Sequence, residues 1–352
     1  MNDNSQEIVV CPNELRKFVS EVYQKVGVPA EDADAVADLE VETDLRGTYS
    51  HGTRALGRYV NSIRSGHIKA QPNIQIVKEG LAFALIDGDM GLGYLAGIKA
   101  MNVAINKAKT AGISAVGVRN SEHLGSASCY SMMALEHGMI GFATTNTGGA
   151  SVVAPGGITP VIANNPLSYA IPTKEEPPIV LDMACGIAAW GRVVTMTLYG
   201  QEIPDGWLLT VDGEPTNDPA KGRYMKPAAG PKGYGLAMVV GTLAGPLVGG
   251  MSACLKKNGE PSEHFFFAIN VDSFTPLDEF TSKMDEMIRK VRSSKTAEGV
   301  ERVYLPGEIE WTNRQKFLKD GIPLHKQHLQ DIANLGKEFG VEPYFYGERK
   351  FQ

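Results

Sequence analysis

Asp44-Leu-Arg-Gly-Thr-Tyr-Ser-His-Gly52 sets a carboxylate, a guanidinium, a hydroxyl and an imidazole within one short run. What flanks it decides how it is presented. Upstream, Leu15, Phe18, Val19, Val22 and Val26 recur at helical spacing, with Asn13 placed to cap and Gly27 to stop, and predict a helix over 13–26. Pro29 opens a second helix with Glu31 and Asp32 in its first turn, and Ala33, Val36, Ala37 and Val41 carry its apolar face to Leu45. A third helix is expected from Arg54 to Ser65, ended by Gly66. Ser50 and His51 therefore stand in the loop that leaves a helical hairpin. Both handle protons, and Gly52 is expected to let a ligand approach the backbone closely.

Beyond Pro72 the pattern changes. Ile74–Val77 and Leu81–Ile86 read as paired strands, the glycine-rich Asp87–Gly93 as a turn, and Tyr94–Thr110 as a helix. A strand at Ile113–Val118, a loop holding His123, a helix to Glu136 and a strand at Ile140–Thr145 follow. The alternation predicts an α+β (α/β-like) body with a central mixed sheet. Residues 146–178, rich in Gly, Pro, Asn and Ser, are expected to form loops at a site or interface. Further on come a strand at Ile179–Asp182, a turn-rich excursion at Trp207–Pro219, a strand at Phe265–Val271, and helices over 277–292 and 323–340. Gly233–Leu255 carries no charge, but Pro246 interrupts it, so two buried, closely packed helical pieces are expected rather than a membrane span.

Composition narrows the function classes. The net charge is −6, hydrophobic content is 43%, and no basic stripe is present, which argues against nucleic acid as a partner. The four cysteines show no paired spacing, and no two histidines have metal-protease spacing, so neither a disulfide framework nor a metal site is expected. The polar, acidic N-terminus lacks a secretory pattern. A cytoplasmic protein acting on a small molecule, away from membranes, is the expectation.

Several clusters carry chemistry. Gly88-Asp-Met-Gly91-Leu-Gly93 sits between a strand and a helix, but its spacing is not GxGxxG and Asp89 would repel a pyrophosphate, so a structural turn is favoured. Ser50 and His51 are neighbours, whose side chains usually point apart, and no GxSxG elbow is present, so proton transfer by His51 is preferred to hydrolysis. Asn120-Ser-Glu-His-Leu-Gly125 puts His123 at a strand-to-helix turn, either as a capping imidazole or beside helix-start amides that hold an anion. Asp182 ends a strand, where acids often face a ligand crevice, and Lys232 opens an apolar run, either reaching an anion or marking a solvent edge.

Taken in order, these clusters resemble the type 2 malate/L-lactate dehydrogenases, the non-Rossmann nicotinamide oxidoreductases that include ureidoglycolate and sulfolactate dehydrogenases. The resemblance runs from about Leu15 to Pro323. It rests on Asp44-Leu-Arg-Gly with Ser50-His-Gly52, on Asn120–Gly125, and on Ala154-Pro-Gly-Gly157 and Asn165-Pro166. It continues through Leu181-Asp-Met-Ala184, Gly206-Trp207, Pro215-Thr216, Lys232-Gly-Tyr-Gly-Leu236 and Leu305-Pro-Gly-Glu308. It implies NAD or NADP as cofactor, and a homodimer or higher homo-oligomer with the site near the subunit boundary. It implies a helical N-terminal part (1–70), an α+β cofactor-binding part (71–275) and a C-terminal helical part (276–352) packing on the N-terminal one. Ser50, His51 and His123 match catalytic positions. His123, Leu124, Gly125, Ser126, Ala127, Thr147, Asp182, Met183, Ala184, Lys232, Leu305, Pro306 and Gly307 match cofactor contacts. The implied reaction interconverts a 2-hydroxy acid and a 2-keto acid. The alternatives are reduction of a cyclic imine carboxylate, or a catalytically altered member that binds a nicotinamide.

Departures fall where substrate should bind. The family's usual arginine five positions past the serine is Ala55 here, with Arg54 beside it. The usual Gly-Thr-Asn-Pro reads Ala163-Asn-Asn-Pro166, and Asp-Met-Ala-Thr-Ser reads Asp182-Met-Ala-Cys-Gly186. A bidentate arginine is hard to replace. Arg54 or Arg46 is expected to reach the substrate, with Asn164 beside it, or else the substrate is non-standard.

Overall fold

The apolar faces read from the sequence meet in three separate cores. The computed structural model describes residues 6–146, 148–257 and 259–346. The chain opens with strand β1 (Glu7–Val10) and helices α1 (Pro12–Lys25), α2 (Ala30–Leu45) and α3 (Leu56–Arg64). It continues through β2 (Gln75–Glu79), β3 (Phe83–Asp87), α4 (Gly93–Ala111), β4 (Ile113–Ser121), the single-turn α5 (Ser128–Ser131) and β5 (Met139–Asn146). Strands β6 (Val152–Val153), β7 (Pro160–Ile162), β8 (Leu167–Ile171) and β9 (Ile179–Met183) lead to α6 (Trp190–Leu198). After β10 (Leu208–Leu209), β11 (Pro215–Thr216) and β12 (Tyr224–Met225) come α7 (Pro231–Leu243), β13 (Ser262–Asn270), α8 (Leu277–Arg292), α9 (Glu308–Asp320), β14 (Ile322–His325) and α10 (Lys326–Glu338).

The mixed α+β class read from the sequence is what the chain adopts. A seven-stranded sheet runs β2-β3-β4-β13-β5-β8-β9, with β3 and β4 parallel and the other neighbours antiparallel. Its centre is β13, paired on both edges and burying Phe266 and Ala268 beneath α4. A smaller sheet, β11-β10-β12-β6-β7, shares a core with α6 and α7. The chain ends pair as β1 and β14, Val10 opposite Ile322. That pairing draws α10 against α1 and α3 in a helical core built on Leu15, Phe18, Val19, Val22, Leu329 and Ile332. Helix α8 docks elsewhere: its Asp285 accepts from the backbone of Lys174, Glu175 and Glu176, in the turn between β8 and β9.

Local readings differ in instructive places. Residues 146–178 hold more than loops, because β8 extends the large sheet by five residues. The helix expected up to Glu136 is one α turn followed by a 3₁₀ stretch. Helix α6 is absent from the sequence reading because Val193, Val194, Thr195 and Thr197 favour strand on propensity; packing of Val193 in the small core overrides it. Strands β1 and β14 are too short to signal themselves without their partners. The uncharged run divides at Gly245-Pro246 as its proline demands, but only one side of it is buried: Ala237, Val240, Ala244 and Val248 pack inside, while Leu236, Met238, Val239, Leu247 and Leu255 lie exposed. Among the described residues no helix is long and apolar enough to cross a membrane.

Candidate active site

Asp44 ends α2 and turns its carboxylate inward. Its Oδ2 accepts from the Thr53 N–H at 3.1 Å and from Thr53 Oγ1 at 2.6 Å, closing the loop between α2 and α3. Its Oδ1 has no hydrogen-bond partner and lies against Gly52, where any Cβ would collide with it. Gly52 is buried and off the cavity wall. The close approach it permits is therefore to Asp44 rather than to a ligand, which corrects the expectation. Burial pushes the Asp44 carboxyl up to about 7, against the pull of the two Thr53 bonds.

That closed loop presents Ser50 and His51. Contrary to the rule for neighbours, Ser50 Oγ lies 2.7 Å from His51 Nδ1. A turn, with the His51 N–H on the Thr48 carbonyl at 3.1 Å, folds the two side chains together where an extended backbone would separate them. The His51 ring stacks on the ring of His123, centroids 5.7 Å apart. His123 leaves the end of β4 and is fixed from two sides, by Tyr59 Oη of α3 at 2.6 Å from Nδ1 and by the Gly125 N–H at 3.1 Å from the same atom. Donation from Gly125 makes Nδ1 an acceptor, so the neutral ring carries its proton on Nε2. Burial holds the His51 imidazole below its ordinary value, with Asp182 opposing and Arg58 adding to the effect. His123 is held lower still, by burial first and then by Arg58, His51 and His264. Both rings are therefore neutral at neutral pH.

The two imidazoles line a cavity of about 880 Å³, at the upper end of the usual range for ligand sites. It gathers residues from the loop between α2 and α3, the large-sheet strands β5 and β9, the loop after β4, helix α6 and the turn before α9. Of the residues picked from sequence it brings together Arg46, Ser50, His51, His123, Gly125, Ser126, Ala127, Asn164, Asp182, Met183, Ala184, Pro306 and Gly307. Asp182, at the end of β9, accepts from Ser126 Oγ at 2.8 Å and from the Ser128 N–H at 2.9 Å. The helix-start amide beside His123 is thus taken by the protein's own carboxylate. The turn through Pro306 and Gly307 lies on the edge of β9, the Val180 N–H donating to the Pro306 carbonyl at 3.1 Å.

Other candidates lie elsewhere. Leu124 is fully buried in the large core. Lys232 is exposed at the start of α7, and neither it nor Leu305 is on the cavity wall. Arg54 points away, donating to Thr195 Oγ1 on α6 at 2.8 Å. Thr147 lies outside the described residues. Asn164 is engaged at both ends of its amide, Nδ2 donating to the Ala188 carbonyl at 2.9 Å and Oδ1 accepting from the Gly186 N–H at 2.8 Å. Arg58, Gly191 and Arg192 are among the wall residues that the sequence did not signal. Tyr59 also escaped notice, since a tyrosine at helical spacing reads as core until its hydroxyl is seen on His123. Among the described residues no group of three His, Cys, Asp or Glu side chains gathers as a metal site.

A family model described as malate/L-lactate dehydrogenase matches residues 10–333. The chain is similar to a malate dehydrogenase of Pyrococcus abyssi, at 41% identity over 94% of both chains. It is also similar to an L-sulfolactate dehydrogenase of Methanocaldococcus jannaschii, at 38% identity over 95% of this chain and 98% of the other. The solved structure of a malate dehydrogenase from Pyrococcus horikoshii superposes with a TM-score of 0.88 at 37% identity, covering 97% of each chain.

Proposed function

We propose that this chain, which belongs to the malate/L-lactate dehydrogenase family, interconverts a small 2-hydroxy acid and its 2-keto acid with NAD or NADP. The observation that carries this reading is the stacked pair of neutral imidazoles on the wall of a cavity large enough for a dinucleotide and a small acid together. Gly125, Ser126, Asp182 and the Pro306-Gly307 turn line that cavity and offer a carboxylate and a hydroxyl for the ribose hydroxyls of the cofactor and backbone groups for the rest of it. A bound nicotinamide supplies or takes up the hydride at the carbinol carbon.

His51 is the acid–base in this reading. Held neutral by its surroundings, it removes the hydroxyl proton as hydride leaves the same carbon, and returns that proton to the developing alkoxide in the reverse direction. Ser50, bonded to Nδ1, fixes the ring. His123, with Nδ1 already engaged by Tyr59 and Gly125, packs behind His51 and contacts the cofactor. Arg46 contributes positive charge, its Nε paired with Glu42 Oε1 at 2.9 Å.

The apolar row of Leu236, Met238, Val239, Leu247 and Leu255 supports a homodimer in which a second copy covers it. Light scattering on the purified protein tests that assembly. For the reaction, the chain is incubated with NADH and with NADPH against a panel of 2-keto acids while absorbance of the reduced nicotinamide is followed. Saturable oxidation with any member supports the proposal; cofactor binding with no oxidation across the panel refutes it.

A further inference from the structure

The family's substrate arginine is missing at position 55, where Ala55 lines the cavity. Three other arginines reach that wall: Arg46, Arg58 and Arg192. Two already have a carboxylate partner, Glu42 being shared with Arg314. Arg46 is paired with Glu42, its side chain largely buried, and Arg58 is paired with Glu122 at 3.2 Å while its guanidinium lies over the Tyr59 ring. Arg192 has no acidic partner among the described residues. It is exposed at the mouth of the cavity, its guanidinium 6.0 Å from the centroid of the Trp207 ring. A cation without a counter-ion at the edge of a cavity of this kind is available to an anionic ligand.

The way α6 is held fits that role. Gly191, the residue before Arg192, packs directly on Ser50: a Cβ there would lie 2.5 Å from the Ser50 Cβ. Only a glycine lets the first turn of α6 come this close to the catalytic pair. One turn further, Thr195 donates to the Gly191 carbonyl at 2.8 Å and accepts from Arg54 at 2.8 Å. Arg54, the neighbour of the vacant position, thus spends its guanidinium on pinning α6 in place.

We propose that Arg192, delivered by α6, binds the substrate carboxylate next to the reacting carbon in place of the arginine absent at position 55. The proposal rests on the 2-hydroxy acid reading given above. It makes α6, rather than the loop after Ser50, the element that fixes how the acid lies against His51.

The test uses the full chain as wild type, Arg192→Ala and Arg192→Lys. Reduction of a 2-keto monoacid (pyruvate) and a 2-keto diacid (oxaloacetate) is measured with the accepted cofactor. Oxamate, an unreactive mimic of the 2-keto carboxylate, is titrated into each protein without cofactor by calorimetry. Arg192→Ala is expected to raise KM about 30- to 100-fold for both acids, the scale of a lost charged hydrogen bond, with a smaller change in kcat. Oxamate binding is expected to be lost, and Arg192→Lys to recover part of KM. An unchanged KM, a rise confined to the diacid, or oxamate binding that is absent in wild type or equal in Arg192→Ala overturns the proposal. Failure of wild type to reduce any keto acid removes the functional reading instead, and the oxamate titration still decides the role of Arg192. Thermal midpoints of the three proteins should agree, because the side chain is exposed.

Discussion

The rings of His51 and His123 stack with centroids 5.7 Å apart and 20° between their planes, so a proton on one is felt by the other. Only one of them is likewise bonded at Nδ1 by both a backbone N–H and a buried tyrosine. That asymmetry supports the proposed division, with proton transfer at His51 and support from His123. His51→Ala is expected to lower kcat by about 10²- to 10⁴-fold, the usual contribution of a positioned acid–base. Cofactor affinity, followed by quenching of protein fluorescence, should change little. Near-normal turnover in this variant would move the role to His123.

The pH profile of 2-hydroxy acid oxidation follows from the same geometry. His51 must be unprotonated to act as base. Burial, the largest influence on it, holds its pKa below the ordinary imidazole value of 6.5. The acid limb of kcat/KM for oxidation is therefore expected below pH 6.5, with activity level above it. Steady-state rates in buffers of constant ionic strength measure this. A limb at or above 6.5 would show that the free enzyme stabilises the imidazolium, contrary to the burial seen here.

Sequence and structure agree best where apolar period and caps point the same way. The Leu15–Val26 pattern becomes α1 and the Leu277–Arg292 pattern becomes α8 because each buries a continuous face. The glycine turn at 88–93 is a structural turn, its Asp87 carboxylate accepting from the Asp89 N–H and Asn120 Nδ2. The histidine loops, Asp182 to Ala184 and the Pro306-Gly307 turn on the cavity wall were legible through the resemblance. Arg192 was not, because it stands on a helix whose β-branched residues hide it, and its place on the wall follows from the packing of Gly191 on Ser50. Gly52 was misread for a related reason: a glycine announces a close approach, but not what approaches.

Stability should depend on pH through Glu40. This fully buried carboxyl accepts from Tyr23 Oη at 2.7 Å through Oε1, while Oε2 has no partner. Burial pushes it from 4.5 up to about 8. The folded chain therefore holds this proton where the unfolded chain has lost it. The resulting stabilisation is full below about pH 4.5 and disappears as pH rises through about 8. Asp44, raised to about 7, adds a slope of the same sign. Glu40→Gln keeps an acceptor for Tyr23 and never ionises. Its thermal midpoint is expected to fall by a few degrees less than that of wild type between pH 5 and 9. Parallel curves for the two proteins would mean that Glu40 does not titrate in this window.

Two departures from the family pattern are one structural change. Asn164 stands where the family has threonine and Gly186 where it has serine. The Gly186 N–H donates to Asn164 Oδ1 at 2.8 Å, and a side chain at 186 would collide with that same oxygen. The longer amide thus fills the space that a serine would need, and its Nδ2 holds the Ala188 carbonyl that leads into α6. Gly186→Ser alone is expected to destabilise the chain by about 1–3 kcal/mol through overpacking. Asn164→Thr alone should cost about 1–2 kcal/mol, because it leaves the Gly186 N–H and the Ala188 carbonyl without their partner. In the double variant the shorter threonine gives back the room that the serine takes. Its loss should be smaller than the sum of the single losses by about 1 kcal/mol or more, as measured by chemical denaturation of all four proteins. Additive losses would show that the two positions are independent, and that the wall leading to Arg192 is set by something other than this amide.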